Sequence, residues 1–270
     1  MTISTSQTGN VRWRSVALPT EHGGWGFISE PIILGLLLAP SWGGLALSVA
    51  AIAVFLLRQP LKIYLKDVRN RRRVPRTIAA RRFVVIYAAI ALAACAAMLL
   101  LLPTLNALFP LLLALPFVMM QLAADVKNRS RTLFAELAGA TATGAITSTI
   151  VLMHEWPFLL ALGLWLALAV KSVTAVLYVR ARLRLEYGKP TAIRQAVAVH
   201  IGGLVILTIA AACKLLVWTA PIAMSVLLAR AIVGLSPLRK ARPPRVIGVQ
   251  EMSYGLLFIL LIALGYALGQ

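Results

Sequence analysis

The stretch "LLRQPLKIYLKDVRNRRRVPRTIAARRF", residues 56–83, decides the fold. It sets ten Lys and Arg residues directly behind an apolar run, in a chain of 270 residues that is 60% hydrophobic and only 13% charged. In a soluble protein the formal net charge of +19 would point to nucleic acid. Here the mean hydropathy is +0.88, outside the globular range. The basic residues are also gathered into short segments between apolar stretches, where they mark the inner flank of membrane spans.

Working outward from that block, a bilayer core of about 30 Å takes about 20 apolar residues in helical form. Nine stretches fit: residues 24–41, 42–58, 83–102, 104–122, 134–153, 156–178, 195–215, 217–234 and 250–268. The segments "APSWGG" and "LLPTLN" supply the Pro, Gly or Asn for two tight turns. Arg12 and Arg14 precede the first span, basic clusters follow the second, fourth and sixth, and Arg230, Arg239, Lys240, Arg242 and Arg245 lie around and after the eighth. The intervening turns carry only Lys214. The positive-inside rule then gives an all-α polytopic transmembrane bundle of nine helices, with the N-terminus cytoplasmic and Gln270 outside. Residues 1–19 form a cytoplasmic tail without signal-peptide features, and 20–270 form a single transmembrane domain. For most of the basic block, orientation and contact with anionic lipid headgroups suffice as a role.

Ionisable groups at membrane depth need another account, because each costs about 2.5–3.5 kcal/mol on insertion. Glu21 and His22 open the first span in "PTEHGGWGF", and Glu30 lies deeper. Glu136 opens the fifth span in "FAELAGATATG", Lys171 sits in the sixth, His200 in the seventh, and Glu251 opens the ninth. Lys171 can snorkel to the headgroups, and Glu136 and Glu251 can serve as caps at positive helix ends. Cys95 and Cys213 lie in apolar runs without CxxC spacing and read as small core residues, with no metal site.

The second span ends "LLRQPLK" and the sixth "LYVRARLR", which sets Arg58 against Arg180 and Lys62 against Arg184. The helices that follow set Arg81 against Arg194 and Tyr87 against His200; Glu21 falls against Glu136. Offsets of 113 to 122 residues suggest a parallel tandem repeat of four spans, 20–125 and 134–245, with the ninth helix at 250–268. Such a repeat places Arg58 with Lys62, and Arg180 with Arg184, as two cationic arms over one cytoplasmic cavity, where guanidinium forks suit phosphate or carboxylate. Pro60 is expected to break or kink the helix there. Asp125 and Arg129, in "QLAADVKNRSRTLFAE", lie at the rim of that cavity or in a solvated loop.

Three segments, "PTEHGGWGF", "LLRQPLK" and "DVKNRSRTLFAELAGA", resemble the YwiC-like family of bacterial integral membrane proteins, and the likeness runs over most of the chain. It implies a multi-pass protein of the bacterial inner membrane and no established activity. In architecture the chain also resembles the UbiA-type intramembrane prenyltransferases, whose motifs lie at the cytoplasmic ends of the second and sixth helices. Those enzymes hold a divalent metal on Asp-rich sequences. Here Asp67 is the one acid of the first such loop and Glu186 of the second, so neither supplies a carboxylate pair.

The expected ligand is an anionic, phosphate-bearing lipid or isoprenoid, held by Arg58, Lys62, Arg129, Lys171, Arg180, Arg184 and His200, with Glu21, His22 and Glu136 as candidate acids or bases. A transporter or lipid flippase would use the same buried charges. An accessory protein for other membrane proteins would need none of them. No Walker loop, GxGxxG or zinc spacing occurs, so no cofactor is expected. The basic segments lack interleaved aromatics, so nucleic acid is not an expected partner.

Overall fold

The computed structural model describes residues 13–19, 22–71, 74–127, 129 and 131–269, with 22 and 23 as backbone only. Among these residues every regular element is helical. A short helix α1 (Trp13–Ala17) precedes α2 (His22–Leu38), α3 (Trp42–Arg69) and α4 (Pro75–Leu100). A 3₁₀ turn (Leu105–Leu108) leads into α5 (Phe109–Val126), followed by α6 (Leu133–Thr143) and α7 (Ala145–Leu152). The chain ends with α8 (Phe158–Glu186), α9 (Ile193–Ala212), α10 (Thr219–Leu235) and α11 (Pro244–Ala267). Seven helical stretches are long and apolar enough to cross a membrane, with α6 and α7 counted as one; the apolar parts of α2 and α10, Gly24–Leu38 and Thr219–Leu235, are shorter. The protein is a multi-pass, all-helical membrane protein, and each of the nine expected stretches overlaps a helix.

The helices run further than their apolar parts. The second expected span stops at residue 58, whereas α3 continues to Arg69. Lys, Arg and Leu are good helix formers, so the segment that leaves the apolar zone has no reason to unwind. Arg58, Lys62 and Lys66, four residues apart, share one face of it. The expected break at Pro60 does not occur, and α3 is continuous through it. Proline removes one N–H there, and the surrounding turns hold the helix. The turn comes at Asn70 and Arg71, the latter at φ 53°, before Pro75 starts α4. Asp67, 1% exposed, clasps the two helices by accepting from Arg76 Nη2 at 2.8 Å and Thr77 Oγ1 at 2.9 Å.

The core lies among α2, α7, α8, α10 and α11, where Ile150, Leu164, Leu168, Met224, Leu227, Phe258 and Ile259 are sealed from solvent. The α6–α7 stretch is 72% buried and α8 67%, whereas α4, packed on α3 and α1, is 17%. Close approach is what decides the interior. Gly35 and Gly44 face Ile150, where a Cβ would come within 2.8 and 2.9 Å of its side chain. Gly144 interrupts the fifth stretch between α6 and α7 against Trp165, whose indole Nε1 donates to the Thr141 carbonyl at 2.7 Å. The Thr141 carbonyl at the break, which also accepts from Gly144 N–H, thus gains a donor on α8. Cys213 corrects the expectation for the cysteines, since it caps α9 and is exposed.

Candidate functional site

Apart from the Asp67–Arg76 clasp and the Arg182–Glu186 pair at the end of α8, charged side chains gather in two places. The first is the basic end of the bundle, at the connection between α5 and α6. Arg58 on α3 donates through Nε (3.0 Å) and Nη2 (2.7 Å) to Asp125 Oδ2 at the end of α5. The Gln121 amide lies between Arg58 and the Ala135 carbonyl, and with its oxygen towards Arg58 and its nitrogen towards Ala135 it serves both. On the far side Arg180 of α8 donates to Glu136 Oε2 at 2.8 Å and to the Arg131 carbonyl. The two arginines therefore hold the two ends of one connection, Arg58 at the end of α5 and Arg180 at the start of α6. Both pairs are partly open to solvent, the arginine side chains 40% and 37% exposed. Lys127, Arg129 and Arg131 on the connection itself are exposed.

The second place is inside the bundle. Lys171 of α8 donates to both carboxylate oxygens of Glu30 on α2, at 2.6 and 2.5 Å, and both side chains are nearly sealed, at 5% and 6% exposure. Its Nζ also stands 5.8 Å from the centre of the Phe27 ring. Snorkelling is thereby excluded for Lys171, because its ammonium is held by a carboxylate in the interior. Gly255 of α11 closes over this pair, and a Cβ there would overlap the Glu30 carboxylate and lie 2.7 Å from Lys171 Nζ. One turn earlier on α11, Glu251 accepts from Arg230 Nη1 of α10 at 2.8 Å. The Arg230 guanidinium carbon lies over Tyr178, 3.9 Å from its ring centre, with the Tyr254 ring centre at 5.4 Å. His200 of α9 is fully buried, its Nδ1 2.7 Å from the Ala196 carbonyl.

These positions sort the expected site residues. Arg58, Arg129, Arg180 and Glu136 come together at the α5–α6 connection, Glu136 in the first turn of α6 where the helix dipole also favours it. Lys62 is exposed on the same face of α3 as Arg58. Arg184 is exposed and donates to the Pro190 carbonyl at 2.9 Å, tying down its own loop. Lys171 and His200 belong to the interior group, away from those four. Glu21 lies outside the described residues, as does the side chain of His22. Glu251 is not a helix cap, since α11 begins two turns earlier at Pro244. Among the described residues no three His, Cys, Asp or Glu side chains stand close enough together to hold a metal ion.

Sequence reasoning missed the interior partners. Arg230 counts there as one more inner-flank charge, yet it is 7% exposed and carries a buried ion pair. The signal was present: "AMSVLLARAIVGL" has no other charge, and its arginine stands five residues before the helix ends.

Residues 18–151, just under half of the chain, match the family model of the YwiC-like proteins. That segment runs to the end of α7 and holds Glu30, Arg58, Asp125 and Glu136, while Lys171, Arg180, His200 and Arg230 fall beyond it. The likeness expected over most of the chain is thus found over its first half. No curated protein and no solved structure matches the chain.

Proposed function

We propose that this protein binds the phosphate-bearing headgroup of an anionic lipid or isoprenoid at the α5–α6 connection, between Arg58 and Arg180. One observation carries the reading: two half-exposed arginines, distant in sequence, flank a single basic connection and are each held in place by a carboxylate. Held guanidiniums lose little rotamer freedom when an anion arrives. Each has five N–H donors and spends some of them on its acid, which leaves others for phosphate oxygens. Lys127, Arg129 and Arg131 add positive field at the same place. Lys62 extends it along α3.

In this reading the basic end faces the cytoplasm of a bacterial cell, the N-terminus lies inside and Gln270 outside, and nine segments cross the inner membrane. The short apolar helices Gly24–Leu38 and Thr219–Leu235 reach roughly 23 to 26 Å, which a locally thinned bilayer accommodates. A parallel repeat finds support in α3 packing on α4 as α8 packs on α9, although α9 also packs closely on α10 while α4 stays at the edge. The domain reading is unchanged, a single transmembrane unit from residue 20 onward.

The test is retention of lipid. Protein in nanodiscs of phosphatidylcholine with a minor share of phosphatidic acid is examined by native mass spectrometry, comparing wild type with the Arg58→Gln/Arg180→Gln variant. Wild type should retain phosphatidic acid selectively and the variant should lose that preference. Equal retention by the two returns the arginines to the role of topology signals. A transporter or flippase is the second reading, favoured by the buried Glu30–Lys171 pair, which gives the bundle a polar centre. An accessory role beside other membrane proteins would call on neither group of charges.

A further inference from the structure

The interior group contains donors that its own acids do not use. Arg230 is 7% exposed and gives Nη1 to Glu251, but its Nε and Nη2 have no hydrogen-bond partner among the described residues. Those two N–H groups point the same way, along the side of the guanidinium that grips an oxyanion with two bonds. The chain shows what such an edge takes, because Arg58 uses Nε and Nη2 to hold a carboxylate oxygen of Asp125. A second unused polar atom lies against the same aromatic ring. His200 is sealed from solvent, its Nε2 has no partner among the described residues, and its ring meets Tyr178 edge-on at 6.5 Å. Buried donors and acceptors in proteins are almost always paired, so two unspent groups around one ring mark a place built for something more.

We infer that the free edge of Arg230 is a second ligand site, which takes the oxyanion of a ligand, a carboxylate or a phosphate, into the interior between α8, α9 and α10. The unspent groups include a cation, and both acids of this interior group, Glu30 and Glu251, already have cationic partners, so the site suits an anion. It is distinct from the α5–α6 connection. Tyr178 and Arg180 stand two residues apart on α8, about 200° around the helix, so the ring faces α9 and α10 while Arg180 faces α6.

The test uses full-length protein carrying Arg58→Gln/Arg180→Gln, so that the surface arginines do not contribute, in phosphatidylcholine nanodiscs. Inorganic phosphate, octanoate and dioctanoyl phosphatidic acid are titrated by calorimetry. At least one should bind saturably. Binding of phosphate alone identifies a free anion as the ligand, and binding of octanoate or phosphatidic acid alone identifies an anion carried on a lipid chain. Arg230→Lys keeps the charge and loses the two-donor edge, and should weaken binding ~10-fold or more. Glu251→Gln keeps the shape and removes the competing carboxylate, and should tighten it ~10-fold. Unfolding midpoints without ligand establish that each variant is folded. No binding by any of the three probes, or equal affinity in parent and folded variants, overturns the inference. If Arg230→Lys does not fold, an unchanged affinity in Glu251→Gln overturns it alone.

Discussion

Replacing Lys171 with Met keeps the length of the side chain and removes its ammonium, which leaves Glu30 as a carboxylate without a counter-charge. An exposed ion pair would forgive this, at a cost of about 0–1 kcal/mol. Here the two side chains are 5% and 6% exposed and both carboxylate oxygens lie within 2.6 Å of Nζ. Removing one partner of a buried pair costs about 3–5 kcal/mol, a large part of a typical stability of about 5–15 kcal/mol. Gly255, which closes over the pair without a side chain, has nothing to offer the stranded acid. Glu30→Gln should cost a similar amount by stranding Lys171. The double variant Glu30→Gln/Lys171→Met contains no buried charge at this point, and should lie closer to wild type than either single, with a coupling of about 2–4 kcal/mol. The measurement is equilibrium unfolding in mixed micelles, followed by tryptophan fluorescence and read as a double-mutant cycle. Because the pair is sealed, the coupling should hold up to about 0.5 M salt. Single-variant costs below about 1 kcal/mol, or strictly additive effects, would refute the reasoning.

Other perturbations test the packing. Gly144→Ala puts a Cβ 2.6 Å from Trp165 Cδ1 and should destabilise by about 1–3 kcal/mol in the same unfolding assay. Gly255→Ala should act on the Glu30–Lys171 pair and lower the unfolding midpoint, whereas Gly202→Ala, which opens onto free space in α9, should be neutral or stabilise by up to about 1 kcal/mol. Arg58→Gln and Asp125→Asn should each change stability by less than about 1 kcal/mol, and that small effect should fade with salt, since the pair is partly open. A large, salt-independent loss in either variant would mean that the pair is structural.

The helices were legible because apolar length is a strong signal, and the placement of Lys and Arg outlined where each apolar stretch ends. The helix ends were not legible. Hydropathy stops at residue 58, yet backbone hydrogen bonding carries α3 to Arg69 because Lys, Leu, Ile and Tyr sustain a helix after the chain leaves the apolar zone. Glu251 read as a cap for the same reason, since the polar segment in front of it hid two further turns of α11. Lys171 was singled out as an intramembrane charge, but pairing it with Glu30 requires knowing that α2 and α8, 141 residues apart at these two positions, share the core. Arg230 was hidden by its company, counted with Arg239, Lys240, Arg242 and Arg245 although it stands on the other side of the helix end. A tally of charges by segment gives orientation and discards depth. Depth is what separates a topology signal from a buried pair.

The seating of α11 has a consequence for the order of synthesis. Glu30 is made early and waits on α2 until Lys171 arrives with α8, so the first buried charge is matched before α9 is made. Arg230 has no such precedent, because its acid is carried by the last helix. A ribosome that stops after residue 243 releases a bundle with a lone arginine in its interior and the Glu30–Lys171 pair without its lid. Such a product keeps that guanidinium over Tyr178 of α8 but lacks its carboxylate, and so bears much of the insertion penalty of an intramembrane arginine, about 2.5–3.5 kcal/mol. Seating α11 and neutralising this arginine are one event.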